Sequence, residues 1–166
     1  MDWFNFYGLI IMAIIMVPNI IFAARCKDGF ENLWQNKAVE ALEQAGRFAC
    51  MGLMIFNIPG TYAGFWFEGG LAAYLAVNGV LVGLYCAIWA ACFRKDSLFR
   101  ALSLSVLPSL VFLFSGAVLL SFPLMGAAMI FAPCHIAISV KNFRLRKKSE
   151  KGALVLDGAR FLITEK

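Results

Sequence analysis

The chain has 166 residues, 61% of them hydrophobic and 15% charged, with 16 phenylalanines and a formal charge of +5. A soluble domain carries about 45–50% apolar and about 25% charged residues. A chain of this size has too little interior to bury so much apolar surface, so a water-soluble globule is excluded and lipid becomes the expected solvent.

Spans able to cross a bilayer need roughly 20 apolar residues. In chain order the sequence offers five, at about 3–24, 46–67, 71–93, 98–121 and 122–140. Pro59 interrupts the second, Pro108 lies inside the fourth, and the fifth has Pro123 in its first turn and Pro133 inside it. Such prolines are tolerated in a bundle because neighbouring helices satisfy the freed carbonyls. The first span lacks a basic leader segment and is read as retained, not cleaved. The expectation is an all-α membrane bundle of five transmembrane helices over residues 1–140, followed by a basic cytoplasmic tail, 141–166.

The charges orient this bundle. All 15 Lys and Arg fall between spans one and two, between spans three and four, or after span five. Lys and Arg resist translocation. The N-terminus and Glu68 are therefore expected outside and the C-terminus in the cytoplasm, in a cell membrane of the bacterial inner-membrane kind. The basic excess reads as an orientation signal and a lipid anchor, not as a nucleic-acid surface.

Between spans one and two, "DGFENLWQNKAVEALEQAGRF" opens with Asp28 and Glu31 three residues on, a capping-box spacing. Phe30, Leu33, Trp34, Ala38, Ala41 and Ala45 recur at helical intervals, while Glu40 and Glu43 fall on the polar remainder. A short amphipathic helix is expected there, either lying at the inner interface or packed on the cytoplasmic end of the bundle. In the tail, Asp157–Gly158 between two apolar runs suggests a tight turn, and with it either a small hairpin or a disordered end.

The residues that can carry function divide between the two ends. Near the outer end Asn57 and Asn78 lie inside spans, Glu68 lies in the turn, and Tyr62, Trp66 and Tyr74 crowd the same level. Interfacial rings are an ordinary aromatic belt. Amides inside spans either cross-link helices or line a pocket. Near the inner end His135 is the chain's one histidine. A neutral imidazole has one donor and one acceptor, which suits a bond to a serine of span four or to a carbonyl freed by proline; the other reading is a ligand or proton contact. Asn57, Asn78, Glu68, Trp66, Tyr62, Tyr74 and His135 form the candidate ligand-binding set. The five cysteines include no paired motif and none on the oxidising side, and the sequence marks no catalytic set, metal site or cofactor.

The stretches "MIFNIPG", "GFWFEGGLAAYL" and "FAPCHI" resemble those of small bacterial multi-pass membrane proteins. The resemblance implies a membrane location and brings no activity. The leading expectation is binding or transport of an apolar or amphipathic small molecule or lipid, with membrane lipids as partners and a homo-oligomer as one arrangement. Small residues four apart, at Gly60 and Gly64 and at Gly79 and Gly83, suit close helix packing. With the amphipathic segment and the basic tail they motivate the alternative, an interaction or regulatory subunit of a membrane complex. An intramembrane enzyme or metal protein, resting on His135 and the thiols, stands third.

Overall fold

The structure, a computed structural model, describes residues 3–26, 32–93 and 96–164, with residues 153–164 by backbone alone. Five helices follow one another: α1 (Phe6–Arg25), α2 (Lys37–Ile55), α3 (Gly70–Ala91), α4 (Leu98–Val118) and α5 (Phe122–Thr164). Four of them, α1, α3, α4 and the Phe122–Gly152 part of α5, are long and apolar enough to cross a membrane. The protein is an all-α bundle whose apolar outer surfaces suit lipid contact.

The helices close into a ring. α1 packs on α2 and α3, α3 on α4, α4 on α5, and α5 back on α2. Three start signals are side-chain caps, which satisfy backbone N–H groups that have no partner within the helix. Asn5 Oδ1 accepts from the Gly8 N–H at 3.1 Å, Asn36 Oδ1 from Val39 at 3.2 Å, and Ser97 Oγ from Arg100 at 3.2 Å.

The amino-terminal end of the bundle is stitched by backbone. Phe4 and Phe56 form an antiparallel bridge, with Asn5 N–H donating to the Ile55 carbonyl and Asn57 N–H to the Trp3 carbonyl, both at 2.7 Å. α1 therefore begins where α2 ends, and the two run antiparallel. Gly8 makes this approach possible: a Cβ there would stand 1.9 Å from the Met54 carbonyl oxygen.

The second predicted span differs from the observed helix. α2 starts at Lys37, stops at Ile55, and leaves residues 56–69 to fold over the bundle end. Two causes act together. The Ile55 carbonyl and the Asn57 N–H are spent on Asn5 and Trp3, and Pro59 disfavours helix in the residue before it. The covering segment is held by Ala63 and Gly64 N–H groups on the Leu119 carbonyl, at 3.3 and 3.1 Å, and by Phe122 N–H on the Thr61 carbonyl at 3.2 Å.

The expected amphipathic helix differs as well. Residues 32–36 are not helical, and the polar stretch from Lys37 onward is the first half of α2. Asp28 and Glu31, the capping-box pair, lie outside the described residues. Leu33 and Trp34 N–H groups both donate to Asn142 Oδ1 at 3.0 Å, and Lys141 Nζ lies 5.8 Å from the centre of the Trp34 ring. This segment is thus strapped across α5 at the basic end. α5 itself passes Val140 and continues to Thr164, so the Asp157–Gly158 turn does not form. The Lys, Arg, Glu, Leu and Ala residues that follow Val140 favour helix and carry it on.

Candidate functional site

Two polar clusters lie within the bundle. The first is near the amino-terminal end and is neutral. Asn5 Nδ2 on α1's cap donates to the Tyr74 hydroxyl at 3.4 Å, Tyr74 also bonds Ser115, and Asn78 Nδ2 donates to Ser115 Oγ at 3.0 Å. Tyr74, Asn78 and Ser115 are fully buried. Asn78 and Tyr74 thereby tie α1, α3 and α4 together, the cross-linking alternative for a buried amide.

The other residues of the expected outer set are dispersed. Trp66 is 60% exposed, and its Nε1 donates to the Ala117 carbonyl at 3.2 Å. Glu68 is exposed and Tyr62 half-buried. Asn57 is buried, and its Oδ1 has no hydrogen-bond partner among the described residues. His135 belongs to the opposite half of the bundle, so these seven residues do not share one site.

The second cluster is charged. Glu43 on α2 is only 2% exposed. Its Oε1 accepts from His135 Nδ1 at 2.8 Å, from Arg47 Nε at 3.1 Å and from Arg47 Nη2. An ionised carboxylate can only accept, so the His135 proton sits on Nδ1. This corrects the expected partner of His135: neither a serine of α4 nor a proline-freed carbonyl holds it. Ser105 of α4 pairs instead with Ser139, one turn further along α5, at 2.6 Å.

Packing places the three groups. Gly46 sits against Phe131, where a Cβ would be 3.0 Å from the Phe131 Cβ. That absence of side chain lets α2 and α5 approach closely. The Phe131 ring stacks on the imidazole with centroids 4.7 Å apart and planes 20° apart, and meets Phe112 of α4 edge-on at 5.6 Å. The imidazole is thus held by a ring on one side and a carboxylate on the other. Removing an ion from water costs several kcal/mol, and only close partners offset it; three N–H donors on one oxygen supply them here.

The cluster is not sealed. The Arg47 side chain is 40% exposed and that of His135 21%. Arg47 commits Nε and Nη2 to Glu43; its Nη1 and His135 Nε2 have no partner among the described residues. Across the ring, the Tyr85 hydroxyl donates to Asn19 Oδ1 at 2.9 Å, and Arg47 lies near enough for its charge to act on that phenol. Further toward the basic end, the Arg100 guanidinium lies over Phe22 and Trp89, 4.6 and 5.1 Å from the ring centres.

Glu43 is the member that the sequence reading missed. The sequence pattern places it on the polar face of a separate interfacial helix. Had α2 been read as one helix, Glu43, Gly46, Cys50 and Met54 would have lined up at spacings of three, four and four. All four are buried on one stripe. The i, i+4 pair Glu43–Arg47 lies partly on that stripe, which was the available signal.

All five cysteines are free, with Cys50 buried and the others half-buried. Among the described residues no group of three or more His, Cys, Asp or Glu could hold a metal ion. No protein-family model, curated protein or solved structure matches the chain.

Proposed function

We propose that this is a five-crossing membrane protein that binds an amphipathic, lipid-like molecule, with the polar head of that molecule at Glu43, Arg47 and His135. Four crossings rest on the four long apolar helices. The fifth is α2. It carries Lys37, Glu40, Glu43 and Arg47, yet it runs antiparallel to α1 with 19 residues against 20. At about 1.5 Å per residue both reach nearly the ~30 Å of a hydrocarbon core. With all Lys and Arg at or beyond one half of the bundle, the N-terminus faces outward and the strapped end faces the cytoplasm.

The single observation that carries the binding reading is the charged cluster with unspent donors at an apolar depth. Ionisable groups inside a membrane bundle are costly and ordinarily mark a ligand or ion path. His135 is 13 residues into α5, about 20 Å from its start, and Lys141 follows about 9 Å later. Phe48, the neighbour of Arg47, is 67% exposed, as suits a helix surface facing acyl chains. An amphiphile arriving from the lipid phase can set its head at the cluster and leave its chain in lipid. Of the expected ligand-binding set, His135 alone enters this site; Asn57, at the opposite end, keeps a buried Oδ1 with no hydrogen-bond partner among the described residues.

Native mass spectrometry from mild detergent tests the reading. A retained adduct of lipid mass, near one per chain, is expected. A bare chain that co-purifies in fixed ratio with another membrane protein would replace it with the subunit reading.

A further inference from the structure

Resting on that reading, we infer that the head group recognised at this site is a compact oxyanion, a carboxylate or a phosphate ester, held end-on by the free edge of Arg47. Guanidinium carries five N–H donors in a planar fork. Glu43 engages the Nε side of that fork through Nε and Nη2. The remaining edge, with Nη1, has the two-donor geometry that matches the two oxygens of a carboxylate or phosphate. Glu43 sets its direction, because a carboxylate fixed on one side of the guanidinium fixes the plane of the other.

His135 borders the site. Its Nδ1–H is spent on Glu43 and its ring is clamped on Phe131, so Nε2 is held in a fixed direction and can only accept, as from the O–H of a singly protonated phosphate monoester. Both side chains converge on one oxygen, Glu43 Oε1, which sets the guanidinium and the imidazole around one carboxylate between α2 and α5. Both are partly exposed, which a site that admits a ligand requires.

The surrounding charge favours an anion over a zwitterion or a neutral head. Glu43 and Arg47 together are neutral. Arg100 stands at the same end of the bundle on Phe22 and Trp89, and Lys141, Arg144 and Arg146 follow on α5. This rim stays net basic even with Asp96 beside Arg100, and it gathers anionic amphiphiles at its own side of the membrane. A zwitterionic head would bring its cation into the same field.

The test uses the full chain in phosphatidylcholine nanodiscs, titrated with oleate, with phosphatidic acid and with oleyl alcohol, and read by native mass spectrometry. Oleate and phosphatidic acid should bind at least tenfold more tightly than the alcohol. Arg47→Gln should remove that preference. Because it leaves Glu43 with a lost partner, the double change Glu43→Gln with Arg47→Gln, which keeps a neutral hydrogen-bonding pair, should fold and lose it equally. Equal binding of oleate and oleyl alcohol would overturn the oxyanion inference while leaving amphiphile binding intact. Absence of any adduct would overturn both. Displacement of oleate by inorganic phosphate or acetate at matched concentration would keep the oxyanion site and reject a lipid as its source.

Discussion

The two polar clusters of this bundle solve different problems. The chain Asn5–Tyr74–Ser115–Asn78 is neutral and runs across α1, α3 and α4, with three of its four members fully buried. Each of its groups both gives and takes, so the cluster closes on itself. The cluster Glu43–Arg47–His135 joins only α2 and α5, carries charge, and keeps donors at a partly exposed edge. A closed neutral network locks helices and has nothing left to offer a ligand. An open charged one is held by its single acceptor and can recognise something else.

The sharpest way to break this contrast is to remove that acceptor. Glu43→Leu leaves Arg47 and His135 without their shared partner in an apolar setting. Breaking a buried ion pair on one side costs about 3–5 kcal/mol, and denaturation in detergent should register a loss of that size. A loss below about 1 kcal/mol would mean that the carboxylate does not organise α2 against α5.

Gly8 comes next, and it belongs to neither cluster. Gly8→Val should force α1 off the Met54 carbonyl and cost about 1–3 kcal/mol, the usual range for overpacking. The strain should also disturb Asn5 and through it Tyr74, which would show as altered tyrosine fluorescence. An unchanged melting temperature would contradict the closeness of this crossing.

Asn78→Leu should cost about 1 kcal/mol, within the range measured for interhelical hydrogen bonds in membranes. The same change made with Ser115→Ala should cost less than the two separately, because the pair is lost once. Binding of oleate should not change. Lowered oleate binding with stability kept would move the ligand site to the neutral cluster and reverse the contrast drawn here.

The parts of this architecture that were legible in sequence are those set by local composition. Three helices lie within a few residues of the expected span limits, and α5 starts at Phe122, because runs of 20 apolar residues permit little else. α2 was not legible because its limits come from contacts far away in sequence. Its end depends on Phe56 meeting Phe4, and its charged half was separated from its apolar half by the premise that a span excludes charge. Glu43 and His135 are 92 residues apart, and their meeting depends on Gly46 facing Phe131. A single glycine in a charged stretch does not announce that contact. The sequence marks Asn78 as an amide inside a span and Tyr74 as a ring at the same level, but whether they close into a network or open to a pocket turns on Ser115, which no pattern in the sequence joins to them.

The smallest expected effect is at His135, and it separates holding from recognition. His135 contributes one donor to Glu43, while Arg47 contributes two. Glutamine can also present an N–H at a similar reach, so His135→Gln should lose only the ring stack, about 0.5 kcal/mol at the low end for an aromatic pair. His135→Leu removes the donor as well and should cost about 1 kcal/mol more, as for a hydrogen bond lost with its partner left buried. The Phe131 stack responds to both changes alike, since neither replacement is aromatic, so the difference between them isolates the bond to Glu43. Oleate affinity gives the second axis. If Nε2 touches the head group, Gln should weaken binding several-fold while stability holds, and Leu should weaken it at least as much. If Gln leaves both unchanged and Leu lowers stability alone, His135 only steadies Glu43, and the oxyanion is held by Arg47 without it.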